Sequence, residues 1–239
     1  MASARRAPSD KATAVQAMFS TIAPRYDVLN RLLSFGIDRR WRAQAARAAV
    51  QDGSERVLDV ATGTGDLAFT LASLAPNAEV IGVDFAEPML ERARGKARAR
   101  AGRVRFEAGD GSALRFDADV FDAVTIAYGL RNFADIDAGL REFLRVLRPG
   151  GRLVVLEFPP PPGGVFGVLY GLYFRGVLPA VGGLISGRRG AYRYLPASVI
   201  AFPPPEVLAE RMRRAGFQKV RYRLQSLGIS AIHIGEKPV

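Results

Sequence analysis

Short apolar runs alternate with stretches of helical periodicity along most of the chain after Arg56. Continuous apolar runs predict buried strands, and apolar residues that recur every three or four positions predict helices. The predicted strands are Arg56–Ala61, Glu79–Asp84, Val104–Ala108, Phe121–Tyr128 and Gly151–Phe158. The predicted helices between them are Gly65–Ala75, Glu87–Ala101 and Asp135–Leu147. This alternation predicts an α/β domain in which helices cover both faces of a parallel sheet.

The pattern changes after Phe158. A stretch rich in proline and glycine runs to about Pro196, and a helix is predicted near Glu206–Ala215. Two strand-like segments, Lys219–Leu227 and Ile229–Lys237, follow with one glycine between them and predict an antiparallel hairpin. A mostly parallel, seven-stranded sheet that ends in such a hairpin resembles the Rossmann-like fold of class I methyltransferases.

The chain has 239 residues, which is enough for one domain with a full core and rather short for two. Residues 1–12 are mostly small, polar and basic, and we interpret them as a disordered tail. Residues 13–239 then form a single domain. Within it, residues 13–50 predict a helical cap over the ligand edge of the sheet, and residues 159–199 form an apolar insertion.

Composition narrows the chemistry. The absence of cysteine excludes disulfides and thiolate zinc sites, and a single histidine, His233, excludes a histidine-rich metal site. The formal net charge of +11 favours anionic partners, although an arginine-rich proteome accounts for it equally well. The basic residues are spread along the chain, whereas a nucleic-acid surface concentrates them. We therefore expect no metal and no nucleic-acid partner.

A glycine turn marks the predicted ligand site. Asp59 lies near the end of the first strand, and Gly63-Thr64-Gly65 connects this strand to the following helix. Glycine adopts positive φ and lets a ligand approach the backbone. Because ligands of open α/β sheets bind at the carboxyl ends of the strands, the turn is the predicted cofactor site.

Two cofactors compete for this turn. The segment Gly63-x-Gly65-x-x-Ala68 fits the dinucleotide pattern, and Asp84 at the end of the second strand suits the ribose of either NAD or S-adenosylmethionine. A pyrophosphate needs a helix N-terminus without acids, but Asp66 lies in the first turn of this helix.

Acids at neighbouring strand ends favour the cationic ligand. Asp59 and Asp66 suit a sulfonium and an α-ammonium group, and Asp110 follows the third strand, where it reaches an adenine amino group. Each of these residues is alternatively a helix cap or a turn former. Together the three acids favour S-adenosylmethionine.

Four longer segments carry a family resemblance. They are Tyr26–Trp41, Tyr128–Phe133, Arg145–Phe158 and Tyr192–Pro203. The chain resembles the ubiquinone/menaquinone biosynthesis C-methyltransferase family over most of its length. The resemblance implies methylation of a prenylated quinol ring with S-adenosylmethionine as the donor. It assigns cofactor contacts to Thr64, Asp84, Asp110 and Gly111, and it brings Ala127, where the family often has a serine, close to the cofactor.

The acceptor needs an activated ring carbon, because a ring carbon is a weak nucleophile until a neighbouring hydroxyl loses its proton. The substrate is therefore expected to be the reduced quinol. Arg131 and Asn132 follow the fourth strand and are predicted to hold the developing oxyanion and to orient the ring. Tyr128 is predicted to stack on the ring. His233 is either the base or a structural residue of the last strand.

Further aromatic and polar residues are predicted to line the substrate. Tyr26 and Asn30 belong to the N-terminal cap, and Tyr192 and Tyr194 approach from the other side. Residues 165–185 are apolar, but arginine, proline and glycines interrupt them, so we interpret them as a cap over the isoprenoid tail rather than a membrane span. Neighbouring arginines favour transient contact with an anionic membrane surface.

The predicted function is methylation of demethylmenaquinol to menaquinol. Methylation of a 2-methoxy-6-polyprenyl-1,4-benzoquinol in ubiquinone synthesis is the alternative within the same family. A nucleic-acid methyltransferase and a non-catalytic module that binds S-adenosylmethionine are the alternatives from other classes. The expected location is the cytoplasm, with peripheral contact at the inner face of the membrane, and the sequence leaves open whether the protein is a homodimer.

Overall fold

A computed structural model describes residues 34–99, 104–161 and 189–239, together with positions 15, 17, 18, 20, 21, 23, 27, 28, 31, 163, 171 and 176. The side chains of residues 189–193 lie outside this description. About a third of the predicted N-terminal cap and more than half of the apolar insertion therefore fall outside the described residues. No helix in the described ranges is long and apolar enough to cross a membrane.

The described strands form a seven-stranded sheet with the order β3-β2-β1-β4-β5-β7-β6. The first five strands pair in parallel, and β7 pairs antiparallel with both β5 and β6. This topology confirms the predicted fold. The strands are β1 (Arg56–Val60), β2 (Glu79–Asp84), β3 (Val104–Ala108), β4 (Phe121–Ala127), β5 (Leu147–Glu157), β6 (Gln218–Gln225) and β7 (Ser230–Glu236).

Helices cover both faces of the sheet and bury two apolar layers. Those named here are α1 (Asp38–Ala49), α2 (Asp66–Leu74), α3 (Glu87–Ala99), α4 (Ile136–Val146), α5 (Arg189–Ile200) and α6 (Pro205–Arg214). One layer contains Trp41 of α1, Leu71 of α2 and Leu90 of α3. The other contains Phe143 of α4 and Met212 of α6. Because both faces are covered, the central strands are mostly apolar and buried on both sides rather than alternating.

Most element boundaries lie within one or two residues of the sequence prediction, and the helix α5 was not predicted. Two further differences change the local structure. Strand β5 begins at Leu147 rather than at Gly151, because Leu147 pairs with Phe121 across a register shift. The turn between β6 and β7 is the short 3-10 segment Ser226–Gly228 rather than one glycine. The early start of β5 depends on pairing with β4, so a local sequence pattern does not show it.

The strand order positions the site. The chain leaves β1 for β2 on one side, and β4 pairs with β1 on the other side, so the order reverses between β1 and β4. A crevice opens outside the carboxyl ends of the strands at such a reversal. The residues that follow β1, β2 and β4 therefore meet at one edge of the sheet.

Candidate active site

The glycine turn connects β1 to α2 in a conformation that requires glycine. Gly63 and Gly65 have φ values of +57° and +83°. A Cβ atom on Gly65 would lie 2.7 Å from a ring carbon of Phe106, so no larger residue fits without displacing that ring. A Cβ atom on Gly63 would meet nothing within 4 Å, so the backbone at Gly63 is open to a ligand.

Asp59 is buried behind this turn. Its carboxylate accepts hydrogen bonds from the hydroxyl groups of Thr62 and Thr125, each at 2.7 Å. Burial disfavours the charged form and raises the pKa of Asp59 from 3.8 to about 6, although the two hydroxyl groups act in the opposite direction. A cation bound nearby would favour the carboxylate, which makes this residue a suitable partner for a positively charged ligand.

Asp84 ties the second strand to the turn. Its two oxygens accept hydrogen bonds from the backbone N–H of Gly63 at 2.8 Å and of Ala86 at 2.9 Å. Burial raises the pKa of this carboxyl group, and the backbone hydrogen bonds lower it. Asp84 therefore holds the turn in place from the strand end where the sequence predicted a ribose contact.

The third strand end carries Asp110 and Gly111. Asp110 is exposed, and its Oδ1 accepts hydrogen bonds from the backbone N–H and the hydroxyl of Ser112. A Cβ atom on Gly111 would lie 2.5 Å from a methyl group of Val60 and 2.6 Å from the ring of Phe133. Both residues lie at the same edge of the sheet as Asp84, as predicted, although neither lines the cavity described next.

A small cavity lies between the turn and the end of β4. Its volume is about 30 Å³, well below the roughly 300 Å³ of a typical ligand pocket, so it is too small in this state for a whole ligand of that size. The structure brings five of the predicted site residues to its walls. The lining residues are Arg42, Asp59, Ala61, Thr62, Gly63, Thr64, Asp66, Leu67, Ala127 and Tyr128.

Charged groups join the turn to other elements. Lys96 of α3 donates to the hydroxyl of Thr64 at 3.0 Å and to Asp66 at 2.7 Å, and it forms an ion pair with Asp27 at 2.7 Å. The hydroxyl of Thr64 in turn donates to Asp27 at 2.5 Å. The N-terminal segment and α3 are therefore both connected to the residue that the resemblance assigns to the cofactor. The sequence analysis missed Lys96, because its partners are distant along the chain.

Arg131 follows β4 and pairs with the buried Glu157, which the sequence analysis also missed. Its guanidinium donates to Glu157 at 2.9 Å and to the backbone carbonyl of Tyr128. The backbone N–H of Arg131 also donates to Glu157 at 3.1 Å. Glu157 ends β5 after the apolar run Leu153–Leu156. A single acidic residue at the end of a buried strand is the sequence signal that could have identified it.

Asn132 and Tyr194, each predicted separately as a site residue, contact each other in the structure. The hydroxyl of Tyr194 in α5 donates to Oδ1 of Asn132 at 3.0 Å. The amide of Asn132 donates to the carbonyl of Tyr128 at 3.4 Å. Tyr192 has no described side chain, and Tyr26 and Asn30 lie outside the described residues.

Tyr128 closes one side of the cavity. Its ring stacks on Phe158, with 4.4 Å between centroids, and Phe158 makes an edge contact with Trp41 at 6.2 Å. Burial raises the pKa of the Tyr128 hydroxyl, so this group stays protonated near neutral pH. The three rings form an aromatic wall at the end of the sheet, with the Trp41 ring nearly perpendicular to that of Phe158.

The structure does not bring His233 to the cavity. Its side chain is buried on β7, where Nε2–H donates to the backbone carbonyl of Pro205 at 2.9 Å and the ring stacks on Tyr222. Burial lowers the pKa of His233 to about 4, so the ring is neutral at physiological pH. These contacts match the structural alternative of the sequence analysis, because β7 turns this side chain toward α6.

A known protein family matches nearly the whole chain. Residues 7–237 match the model of the ubiE/COQ5 methyltransferase family. The chain belongs to this family. Within the family, a demethylmenaquinone methyltransferase of Thermus thermophilus is 62% identical over 92% of this chain and 100% of its own length. One of Deinococcus radiodurans is 56% identical over 95% of this chain and 94% of its own.

Solved structures outside the close relatives share the fold of this ubiE/COQ5 family member. The [4+2]-cyclase SpnF has a TM-score of 0.72 at 22% identity, with 98% of this chain and 97% of that chain covered. A SAM-dependent methyltransferase of Thermotoga maritima has a TM-score of 0.65 at 19% identity, with 92% and 99% covered. At these identities the likeness concerns the fold alone.

The residues of the cavity fit the cofactor of this family, S-adenosylmethionine. Asp59 and Asp66 supply negative charge where a pyrophosphate would be repelled and a sulfonium would be stabilised. The open backbone at Gly63 leaves room for a ligand to approach. In the described part of the chain, no three acidic, histidine or cysteine residues are grouped as a metal site.

Proposed function

We propose that this protein transfers a methyl group from S-adenosylmethionine to a ring carbon of demethylmenaquinol and so forms menaquinol. The observation that carries this proposal is the 62% identity, over 92% of the chain, to a demethylmenaquinone methyltransferase. The acidic cavity beside an aromatic wall supports it, because methyl transfer to a quinol needs a cation site next to a flat apolar one. Relatives at 48% identity are named for both ubiquinone and menaquinone biosynthesis, so the benzoquinol ring is the alternative substrate.

S-Adenosylmethionine supplies an electrophilic methyl group whose leaving group is a neutral thioether. Asp59 and Asp66 would hold its cationic end, and Thr64 and the open backbone of Gly63 would contact it at the turn. Asp84 would bind the ribose, and Asp110, with Gly111 beside it, would bind the adenine. Ala127 would pack against the cofactor at the end of β4. The protein contributes position and electrostatics, since the reaction is a single displacement at carbon.

On the acceptor side, we assign the quinol ring to the region of Arg131, Asn132 and Tyr194. Arg131 would stabilise the oxygen from which the proton leaves, because a fixed positive charge favours the anionic form. Asn132 and Tyr194 would bind a ring oxygen through their paired amide and hydroxyl groups. Phe158 and Tyr128 would pack against the ring. Tyr26, Asn30 and Tyr192 keep their predicted contacts with the substrate.

The acceptor is a lipid, and exposed apolar residues before α1 and in the turn between β6 and β7 support contact with a membrane surface. Phe35 and Leu227 are 81% and 78% exposed, and both have positive φ values. The indole N–H of Trp41 donates to Ser226 at 3.0 Å and thereby brings the start of α1 next to the turn that carries Leu227. Arg39 is exposed four residues after Phe35 and would attract anionic lipid headgroups.

Membrane contact is tested by sedimentation with vesicles of phosphatidylglycerol and of phosphatidylcholine. We expect binding to the anionic vesicles, and we expect the double substitution Phe35→Ser and Leu227→Asn to weaken it. The matched control is Val207→Ser, which alters an apolar residue that is 44% exposed on α6. Equal binding of all three proteins would exclude this surface.

The reaction is tested with deuterium-labelled S-adenosylmethionine and two acceptors, reduced demethylmenaquinone and a reduced 2-methoxy-6-polyprenyl-1,4-benzoquinone. We expect label in menaquinol and none when demethylmenaquinone is kept oxidised, because the oxidised ring has no hydroxyl to ionise. Label in the benzoquinol alone would correct the substrate. Label in neither product would overturn the proposed function.

A further inference from the structure

The methyl donor carries a negative group that the acidic residues do not accommodate. Its amino-acid end has a carboxylate beside the ammonium and the sulfonium. Asp59 and Asp66 attract the two cationic groups and repel the carboxylate. A ligand of this kind therefore needs a fixed cation near the same acids, and the glycine turn supplies none.

Arg42 is the cation that the fold brings to this position. Only 8% of this residue is exposed, and it lines the cavity together with Asp59 and Thr64. It comes from α1, outside the strand–turn–helix unit that forms the rest of the site. Its Nη1 lies 3.8 Å from Asp66, and its guanidinium lies over the ring of Tyr128, at 5.8 Å from the centroid.

The position of Arg42 is held by its own helix. Its guanidinium forms an ion pair with Asp38, which lies one helical turn earlier and is itself buried. The second oxygen of Asp38 accepts a hydrogen bond from Ser34 at 2.7 Å. A side chain that is already ordered loses little conformational entropy when it binds a ligand. The planar guanidinium also offers five donors, enough to serve Asp38 and a second carboxylate.

Other basic residues near the turn are directed elsewhere. Lys96 pairs with the other oxygen of Asp66 and also contacts Asp27 and Thr64, and Arg131 is bound to Glu157. Neither residue lines the cavity. Among the described residues, Arg42 is thus the one positively charged side chain that lines the cavity.

We propose that Arg42 binds the carboxylate of the methionine moiety of S-adenosylmethionine, while Asp59 and Asp66 face its cationic groups. This inference rests on the proposed function, because it takes the methyl donor as the ligand. Arginine and carboxylate form two parallel charge-assisted hydrogen bonds, which provide orientation as well as affinity. Arg42 would therefore fix the direction in which the methyl group points.

The test compares two ligands that differ by this one group. Dissociation constants are measured by calorimetry for S-adenosylmethionine and for decarboxylated S-adenosylmethionine. We expect the wild-type protein to bind the decarboxylated compound about 10- to 100-fold more weakly. Arg42→Gln is expected to weaken binding of S-adenosylmethionine by a similar factor and to leave binding of the decarboxylated compound nearly unchanged.

Two variants serve as controls. Arg47→Gln removes an exposed arginine from the last turn of the same helix and is expected to keep the wild-type preference. Arg42→Lys keeps the charge without the planar fork and is expected to keep part of the preference. Thermal unfolding of each variant shows whether it is folded at the temperature of the measurement.

The outcomes separate the inference from the function on which it rests. If the wild-type protein binds S-adenosylmethionine and Arg42→Gln keeps the full preference for the carboxylate, the role of Arg42 is excluded and the proposed function stands. The same holds if the wild-type protein shows no preference. If the wild-type protein binds neither ligand, the proposed function and this inference are both overturned.

Discussion

Arg131 and Glu157 form an ion pair at the carboxyl end of the sheet, with 6% and 1% of their side chains exposed. Glu157 also accepts the backbone N–H of Arg131 and that of Phe158. One carboxylate thus fixes both the main chain and the side chain of a residue assigned to the acceptor. The pair explains how a buried arginine is tolerated beside an aromatic wall.

Glu157→Gln is expected to destabilise the protein by about 3–5 kcal/mol, because it leaves the charge of Arg131 buried without its counter-ion. The free energy of unfolding is measured by urea titration. The matched control is Glu79→Gln, which breaks half-exposed ion pairs with Arg56 and Arg105; the loss of each exposed pair should cost about 0.2–1 kcal/mol. Equal losses in the two variants would show that burial does not strengthen the Arg131 pair.

Affinity for S-adenosylmethionine is expected to fall as the pH drops below about 6, the pKa to which burial raises Asp59. Below this pH the carboxyl group is neutral and no longer attracts a cation, so affinity should decrease by up to about tenfold per pH unit. Calorimetry across this range measures the effect. Asp59→Asn should bind more weakly at neutral pH and lose most of the pH dependence; an unchanged slope would assign the proton to another group.

The same carboxyl group affects folding with the opposite sign. Its pKa in the folded protein, about 6, lies above the ordinary value of 3.8. The folded state therefore binds the proton more tightly than the unfolded chain, and this contribution to stability grows as the pH falls from about 6 towards 4. Asp59 thus opposes folding at neutral pH, where its charge would attract the cofactor.

Gly65→Ala is expected to lower the free energy of unfolding by about 2–4 kcal/mol, since it combines a positive φ with a clash against Phe106. Gly53→Ala is a control with the same kind of backbone, because Gly53 has a φ of +78° and a Cβ atom there would meet nothing within 4 Å. This control should cost about 1 kcal/mol. The difference between the two variants measures the steric part, and a difference near zero would mean that Phe106 moves aside freely.

Lys96→Met is expected to accelerate association of S-adenosylmethionine. The cavity of about 30 Å³ must widen before a ligand enters, and Lys96 connects Asp27 of the N-terminal segment with Thr64 and Asp66 of the turn. Stopped-flow measurements give the association rate. Arg98→Met, on the same helix, is the control. An unchanged rate in Lys96→Met would show that another contact limits access.

Local sequence patterns were sufficient for the sheet and for part of the site. The apolar runs predicted the parallel strands, and a strand followed by a glycine turn placed Asp59 and Gly63 at the ligand edge. Such features depend on neighbours in the chain, so period and turn chemistry reveal them. The acid at the end of β2, Asp84, was found for the same reason.

Contacts between distant segments were not predictable in this way. Arg42 reaches the cavity because α1 packs against α2, and Lys96 meets Thr64 because α3 passes beside the turn. The position of His233 on β7 indicated which face of the sheet its side chain lies on. Only the packing of α6 shows that Pro205 covers the side chain on that face. These relationships belong to the tertiary structure and leave no periodic signal.

Strand β7 is the last strand in sequence order, yet it fills an inner position between β5 and β6. During synthesis, one edge of β5 therefore stays unpaired until the ribosome has made β7, about 70 residues later. An unpaired apolar strand edge is prone to wrong association in the nascent chain. Loss of a few residues around Ile232 would consequently split the sheet instead of trimming its border.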